Sequence, residues 1–324
     1  MNKKNLFGVI CAALLCGVSA NVFAQDNAPT GAAASLLNSA DPRAAGMGMA
    51  TTAVSDNAFG IFGNAAANLS SDKKMGFGYS YNPVTPDLNK GTATHAVGAY
   101  YNINENNGLS FGFRYYNGPE TVIGSEGIRP NDMAISLGYT RRIVENFTMS
   151  LTARYVRSDY SMIEGMQAAN GVAFDLGFFY SNTIESFFGS KWAVGLNVSN
   201  LGTQLSINGT DAFSMPAYAK LGGSIDMPFR ENHKLLAALD LGYTFMPSTD
   251  ASFMAGIGLE YNFLKYGFLR AGYHYGDEKS IGGSYTTVGL GAMVGPVRID
   301  ASYWIAGKES PVKNTWAVGL SLFF

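Results

Sequence analysis

Three histidines, His95, His233 and His274, are the residues of this chain best suited to relay a proton or ligate a metal near neutral pH. No two of them stand at metal-ligand spacing, so no metal is expected. No serine-nucleophile motif accompanies His274, and both cysteines, Cys11 and Cys16, fall within the first two dozen residues. Gly46-Met47-Gly48 is too short for a phosphate-cradling loop and lacks a strand-to-helix context. The sequence therefore predicts no enzyme, no catalytic residue and no cofactor. What it offers instead is a set of single charges, Arg114, Arg154, Asp175, Asp240, Glu260, Arg270, Arg298 and Asp300, each embedded in small or apolar residues. Isolated charges of both signs suit ion pairing inside a lumen, packing against an inner segment, or contact with a ligand.

The elements that must carry these charges follow from composition. Of the 324 residues, 47% are hydrophobic, 13% aromatic and only 14% charged, with 39 glycines and a net charge of −2. Disordered and collagen-like chains are excluded. Basic residues form no clusters, so nucleic acid is not an expected partner. Beyond the first two dozen residues there is no run of 18 apolar residues, which excludes a bundle of membrane-spanning helices. A β protein remains, and rich aromatics with few charges favour one in a membrane.

Residues 1–24 resemble a secretory signal peptide: Lys3 and Lys4, an apolar stretch, then Val22-Phe23-Ala24 before a cut at Gln25. Its removal takes both cysteines, and leaves 20 of the 22 basic residues against 24 acidic ones. Residues 25–71 are small and flexible in texture, with Gly31-Ala32-Ala33-Ala34 and Ala65-Ala66-Ala67, and show no strand alternation.

From Met75 onward, apolar and polar residues alternate in segments of roughly ten residues. Fourteen are predicted: 75–82, 92–102, 108–117, 132–143, 147–158, 172–182, 192–201, 217–227, 234–245, 252–263, 267–275, 285–294, 297–303 and 315–324. Tight connections, such as Val144-Glu145 and Gly295-Pro296, alternate with long polar ones, such as 118–131 and 202–216. An even strand count with short turns on one rim and long loops on the other predicts an all-β, 14-stranded antiparallel transmembrane barrel over 72–324. With the N-terminus in the periplasm, the C-terminus returns there and the long loops face outward.

Each strand then has two faces. Phe147, Met149, Leu151, Ala153 and Tyr155 form a lipid row against Thr148, Ser150, Thr152 and Arg154 inside. On this reading His95 faces lipid near the outer rim and His233 sits in a periplasmic turn. His274 faces inward on the strand of Arg270, as a solvated lumen histidine. Arg154 and Asp175 stand about equally far from the middle of the loop between their strands, which predicts an inward ion pair directly across the hairpin. Inward glycines, among them Gly112, Gly138, Gly195, Gly258, Gly289 and Gly319, leave room inside the barrel. Segment 25–71 is the expected occupant, a small hatch or plug whose Asp41 and Arg43 could meet the inward charges. Phe59, Ile61 and Phe62 could line an apolar ligand pocket between hatch and wall.

Asp41-Pro42-Arg43-Ala44-Ala45-Gly46-Met47-Gly48, then Ser55-Asp56-Asn57-Ala58-Phe59, then Asn64-Ala65-Ala66-Ala67-Asn68-Leu69 resemble the N-terminal signature of the PorV/PorQ family, a Bacteroidetes branch of the FadL-like barrels. Pro130-Asn131-Asp132 and the stretch 146–159 are similar to further family segments. The resemblance implies a hatch motif at Asp41, Arg43, Gly46, Gly48, Ser55, Asp56 and Asn64, and lateral passage of ligands through the barrel wall. It also implies work in type IX secretion, receiving cargo proteins by their C-terminal signal domains. Where the family reads Asn-Pro-Ala, this chain has Asn64-Ala65-Ala66, and loss of the proline is expected to loosen a hatch turn. The expected partners are outer-membrane lipid, secreted cargo and secretion machinery, or alternatively a hydrophobic small molecule carried across the outer membrane of a Gram-negative bacterium.

Overall fold

The computed structural model describes residues 32–84, 86, 91–123, 126–247, 251–277, 283–308 and 310–324. The signal peptide read at 1–24, and 25–31 after it, lie outside the described residues.

Fourteen antiparallel strands close into a barrel. In chain order they are β1 (Met75–Pro83), β2 (Ala93–Asn104), β3 (Asn107–Asn117), β6 (Asn131–Val144), β7 (Phe147–Asp159), β8 (Ala168–Ile184), β9 (Ser190–Gly202), β10 (Ala217–Arg230), β11 (His233–Met246), β12 (Ser252–Phe263), β13 (Gly267–Gly276), β14 (Tyr285–Val294), β15 (Val297–Ala306) and β16 (Trp316–Phe323). All fourteen predicted segments are strands. Several run longer than expected, β8 above all, because pairing continues past the lipid belt where the alternation that marks a strand in sequence has faded. A short hairpin, β4 (Thr121–Ile123) with β5 (Glu126–Ile128), lies in the loop after β3 and was not foreseen. β1 pairs with β16, and Met75 and Phe324 exchange backbone hydrogen bonds at 3.1 and 2.9 Å, so the barrel starts and ends on the rim of short turns.

The period of two sorts the side chains as a membrane barrel requires. Along β7 the row from Leu151 to Tyr155 is exposed while Thr148, Thr152, Arg154 and Val156 are buried. Aromatic contacts border the apolar belt, Tyr81 with Trp316 at 5.6 Å and Tyr180 with Trp192 at 5.4 Å. Leu137, mid-strand in β6, is 63% exposed and has only lipid to meet. Leu137→Arg should therefore cost about 2–4 kcal/mol, and Ile143→Arg near the rim about 0–1 kcal/mol. Urea unfolding from lipid bilayers checks this; equal costs at the two depths would contradict a lipid-facing row.

Of residues 32–74, which precede β1, 72–74 are exposed at the rim of the lumen and 32–71 occupy it. They form a 3-10 turn (Ala34–Leu37), a short helix α1 (Pro42–Gly46) and two more 3-10 turns (Gly60–Phe62 and Ala65–Ser70). Asp41 caps α1 by accepting from Arg43 N–H at 2.8 Å, with Pro42 at the first helical position, where no donor is missed. Ala32, Ala33 and Leu36 pack with Ala134, Val156, Ala169, Leu205 and Met215. The first described residues thus lie at the long-loop end. The inner segment descends the lumen and reaches β1 at the turn rim.

Candidate functional site

Many inward strand positions that touch the inner segment are small or polar, because the segment brings its own backbone to the wall, while Tyr100, Phe179, Leu236, Trp304 and Phe323 pack on its apolar side chains. Gly48 shows how close the approach is: its φ is +61° and an added Cβ would stand 2.6 Å from Tyr273 O. Gly46 rests over Gly289, where a Cβ would come within 3.1 Å of the Gly289 Cα. Orphan backbone groups of the segment are taken up by the wall. Ser80 donates to Ala40 O at 2.7 Å, Thr148 to Ala66 O at 2.8 Å, and Gly48 N–H donates to Thr287 at 3.0 Å.

The inward charges fall into separate groups. Arg43 of α1 makes a two-pronged contact with Glu260 of β12, Nε to Oε2 at 2.9 Å and Nη2 to Oε1 at 2.7 Å. Glu260 also accepts from Arg270 at 2.6 Å and Arg298 at 3.4 Å, and Asp300 closes the cluster against Arg270 at 2.8 Å and Arg298 at 2.9 Å. Arg43 reaches back to its own segment as well, donating to Ser55 O at 3.0 Å and Asp56 O at 3.4 Å. Asp41 accepts from Asn57 at 2.6 Å instead of meeting a wall charge. Asp240 accepts from Thr51 and Thr52, and Arg114 donates to Leu36 O at 2.6 Å with its guanidinium 4.7 Å from the Phe62 ring. Asp132, absent from the sequence-derived set, accepts from Ser35 at 2.5 Å. Its position at a strand start hid it from a reading of mid-strand charges.

Arg154 and Asp175 meet inside the wall, Nη2 to Oδ2 at 2.6 Å, but not directly across the hairpin. Arg154 faces Ala173 and Asp175 faces Thr152, so the pair is diagonal. β7 and β8 pair without irregularity from Asp159 and Ala168 onward, which puts Asp175 two residues beyond Arg154's partner Ala173, and a bulge in the neighbouring β9 lies beside the pair. Asn200 takes a φ of +60°, gives its N–H to Asp175 at 2.7 Å and its side-chain amide to Pro216 O at 2.9 Å, and accepts from Arg154. Arg154→Ala would leave Asp175 buried with one donor and is expected to cost about 3 kcal/mol. Arg154→Lys should lose less, since charge is kept and only the fork is lost. Thermal unfolding in detergent ranks the two; a lysine variant no better than alanine would contradict an ionic role.

Two cavities flank the inner segment. The outer one, about 230 Å³, is lined by Phe59, Phe62, Tyr218, Tyr285 and Trp304 together with Arg114, Lys220 and His274. The inner one, about 190 Å³, lies toward the turns and is lined by Asp56, Asp72, Lys73, Asp226, Lys234 and the Glu260 cluster. Phe59 and Phe62 border the outer cavity, whereas Ile61 does not: it is turned to the wall beside Gly112 and Gly138. Side chains two apart on an irregular turn need not share a face.

His274 faces inward as predicted from the strand pattern, yet it is buried and stacked on Tyr285 at 4.7 Å rather than solvated. His95 and His233 bond to Tyr79 and Tyr261, each at 2.8 Å. The spacing G-x-S-x-G does occur, at Gly108-Leu109-Ser110-Phe111-Gly112, but mid-strand in β3 and not at a strand-to-helix elbow. The turn at Asn64-Ala65-Ala66 is not loose either. Asn64 caps the six-residue 3-10 turn by accepting from Ala66 N–H at 3.2 Å, which supplies by hydrogen bonding the restraint a proline would have given through φ.

The ladder between neighbouring strands is continuous around the barrel among the described residues, so a lateral passage would require strands to part. Many solved structures are similar. Among them are the Pseudomonas putida toluene transporter TodX (13% identity, 89% of this chain and 98% of that one, TM-score 0.61), a Pseudomonas aeruginosa FadL homologue (12%, 89% and 98%, 0.58) and the monoaromatic hydrocarbon channel CymD (12%, 88% and 97%, 0.56). At such identities they show a shared fold: a FadL-like barrel. No protein of curated function matches the chain in sequence. The family model of the type IX secretion system protein PorV matches residues 21–251, more than two-thirds of the chain. With its closed barrel and lipid-facing belt, this chain is a Gram-negative outer-membrane protein, and it belongs to the PorV family of type IX secretion system proteins.

Proposed function

We propose that this barrel serves type IX secretion by holding cargo proteins at its long-loop face, with residues 25–71 acting as a hatch that keeps the lumen shut. One observation carries the reading: on a barrel of a secretion family, the lumen is occupied by a segment bonded to the wall from Ser35, which donates to Asp132, to Leu69, which accepts from Arg142. Cavities of about 230 and 190 Å³ admit no polypeptide thread past that segment, so cargo is handled outside the lumen and not through it. Affinity purification of the tagged barrel from native outer membranes after mild crosslinking tests this. Surface proteins sharing a C-terminal domain are the expected company; a barrel recovered alone, or with insertion machinery only, refutes the reading.

A second reading, uptake of a hydrophobic small molecule, is favoured by the aromatic lining of the outer cavity and by the likeness to a toluene transporter. It expects a detergent-sized apolar ligand to raise the unfolding temperature, and Trp304→Ala to abolish the rise.

A further inference from the structure

Between Thr52 and Asn64 the inner segment makes a compact loop whose ends are pinned together and to the wall. Asn64 Nδ2 donates to Thr52 O and to Phe178 O, both at 2.9 Å. Asp240 accepts from Thr51 N–H at 3.1 Å and from Thr52 N–H and hydroxyl at 3.0 and 2.6 Å, and Ser224 donates to Ala53 O at 2.6 Å. The body of the loop, 54–63, is held in another way. Its hydrogen bonds to other parts of the chain, among the described residues, end inside the same segment: Asn57 on Asp41, Ser55 and Asp56 carbonyls on Arg43, Asp56 carboxylate on Ser71. Toward the wall, among the described residues, it makes no hydrogen bond, and its contacts are apolar apart from the Arg114 guanidinium 4.7 Å from the Phe62 ring and the Ala58 carbonyl beside Gly98. Phe59 lies on Gly78 and Gly98, and Ile61 and Phe62 lie on Gly112. Such contact has no fixed direction and tolerates sliding, whereas each pinned polar group at the base must find a new partner if it moves.

The loop body is also the partition between the cavities. Val54, Phe59 and Phe62 border the outer one and Asp56 the inner one. We propose that residues 54–63 are a gate, turning on the Thr52–Asn64 base, that joins the two cavities and opens a water-filled route for small polar solutes while the rest of the segment stays seated. The solute class follows from the inner cavity, where Asp56, Asp72, Lys73, Asp226 and Lys234 reward a polar or charged traveller and penalise an apolar one. The proposal rests on the hatch reading but not on cargo binding, so its failure and that of the secretion reading are separable.

The test is conductance of potassium chloride through the purified full-length barrel in planar bilayers, using two alternative disulfides in a mature chain that has no other cysteine. Ile61→Cys with Gly112→Cys locks the gate: Ile61 Cγ2 stands 2.9 Å from the Cβ that residue 112 would carry. Pro42→Cys with Gly319→Cys locks the seated part, where Pro42 Cγ stands 2.9 Å from the new Cβ. Both place the two Cβ atoms within about 4.5 Å, the range a disulfide spans. The unmodified barrel is expected to show brief openings. Oxidising the gate pair should suppress them about tenfold, with recovery on reduction, while oxidising the seated pair leaves them unchanged. Phe59→Ala, which removes a wall contact of the gate without any crosslink, should raise open time. An unmodified barrel that never conducts, openings that survive the gate lock, openings lost equally to the seated lock, or no response to Phe59→Ala overturns the proposal.

Discussion

Glu260→Ala will destabilise the folded barrel more than any other single change to its inward charges, by about 3–5 kcal/mol. Three guanidiniums, of Arg43, Arg270 and Arg298, converge on this one carboxylate, and all four groups are buried. Without it, Asp300 alone faces Arg270 and Arg298, and Arg43 loses its wall partner altogether. Buried like charges at this spacing repel strongly because little water screens them. Arg43→Ala should cost less, since Glu260 keeps two arginines, although it frees α1 from the wall. Glu260→Gln retains volume and two polar atoms and should fall between. The temperature at which the barrel loses its compact migration on unheated gels orders the three variants. If Arg43→Ala proves as damaging as Glu260→Ala, the cluster serves to anchor α1 and not to balance the wall.

Gly258→Val is expected to unseat the inner segment while leaving the barrel closed. A Cβ at this position would stand 2.6 Å from Met47 Cβ and 3.0 Å from Met47 C, and Met47 is fully buried, so backbone must move. Overpacking of this kind typically costs about 1–3 kcal/mol. Here the cost falls on the segment alone, because the lipid row of β12 and its ladders to β11 and β13 are untouched. Gly242→Val on the neighbouring strand is the control. Its Cβ would meet Met254 Cγ at 2.8 Å and Lys220 Cγ at 3.0 Å, side-chain carbons that can swing aside. Limited proteolysis of the purified barrel should cut within 32–71 in the Gly258 variant and spare the Gly242 variant. Cells carrying the first should also become sensitive to an antibiotic too large to cross an intact outer membrane. Protection equal to the unmodified barrel would mean that the segment can shift locally without leaving its seat.

Fourteen strands, their order, the alternation of turns and loops, and the face on which Arg114, Arg154, Glu260 or Arg270 points were legible in the sequence. Each of these follows from a period of two inside a single strand, so it needs only the strand's own residues. Asp132 escaped notice because it stands at a strand start, and Ile61 was misassigned because a 3-10 turn has no face that its sequence displays. The register of β7 on β8 was also beyond reach. It depends on where the loop between them turns, since pairing already begins at Asp159 and Ala168. The bulge of β9 at Asn200 was equally hidden, because that residue's φ of +60° is held by Arg154, Asp175 and Pro216, which come from three other places in the chain.

The sequence by itself determined a lipid-facing barrel, because water, lipid and lumen impose their alternation locally and repeat it fourteen times. Only the tertiary structure decided how the lumen is filled. Arg43 meets Glu260 across 217 residues of chain, and Thr52 meets Asp240 across 188. No local period records which inward charge faces which residue of a segment lying across the barrel, since that choice is made when the sheet closes and the lumen acquires its shape.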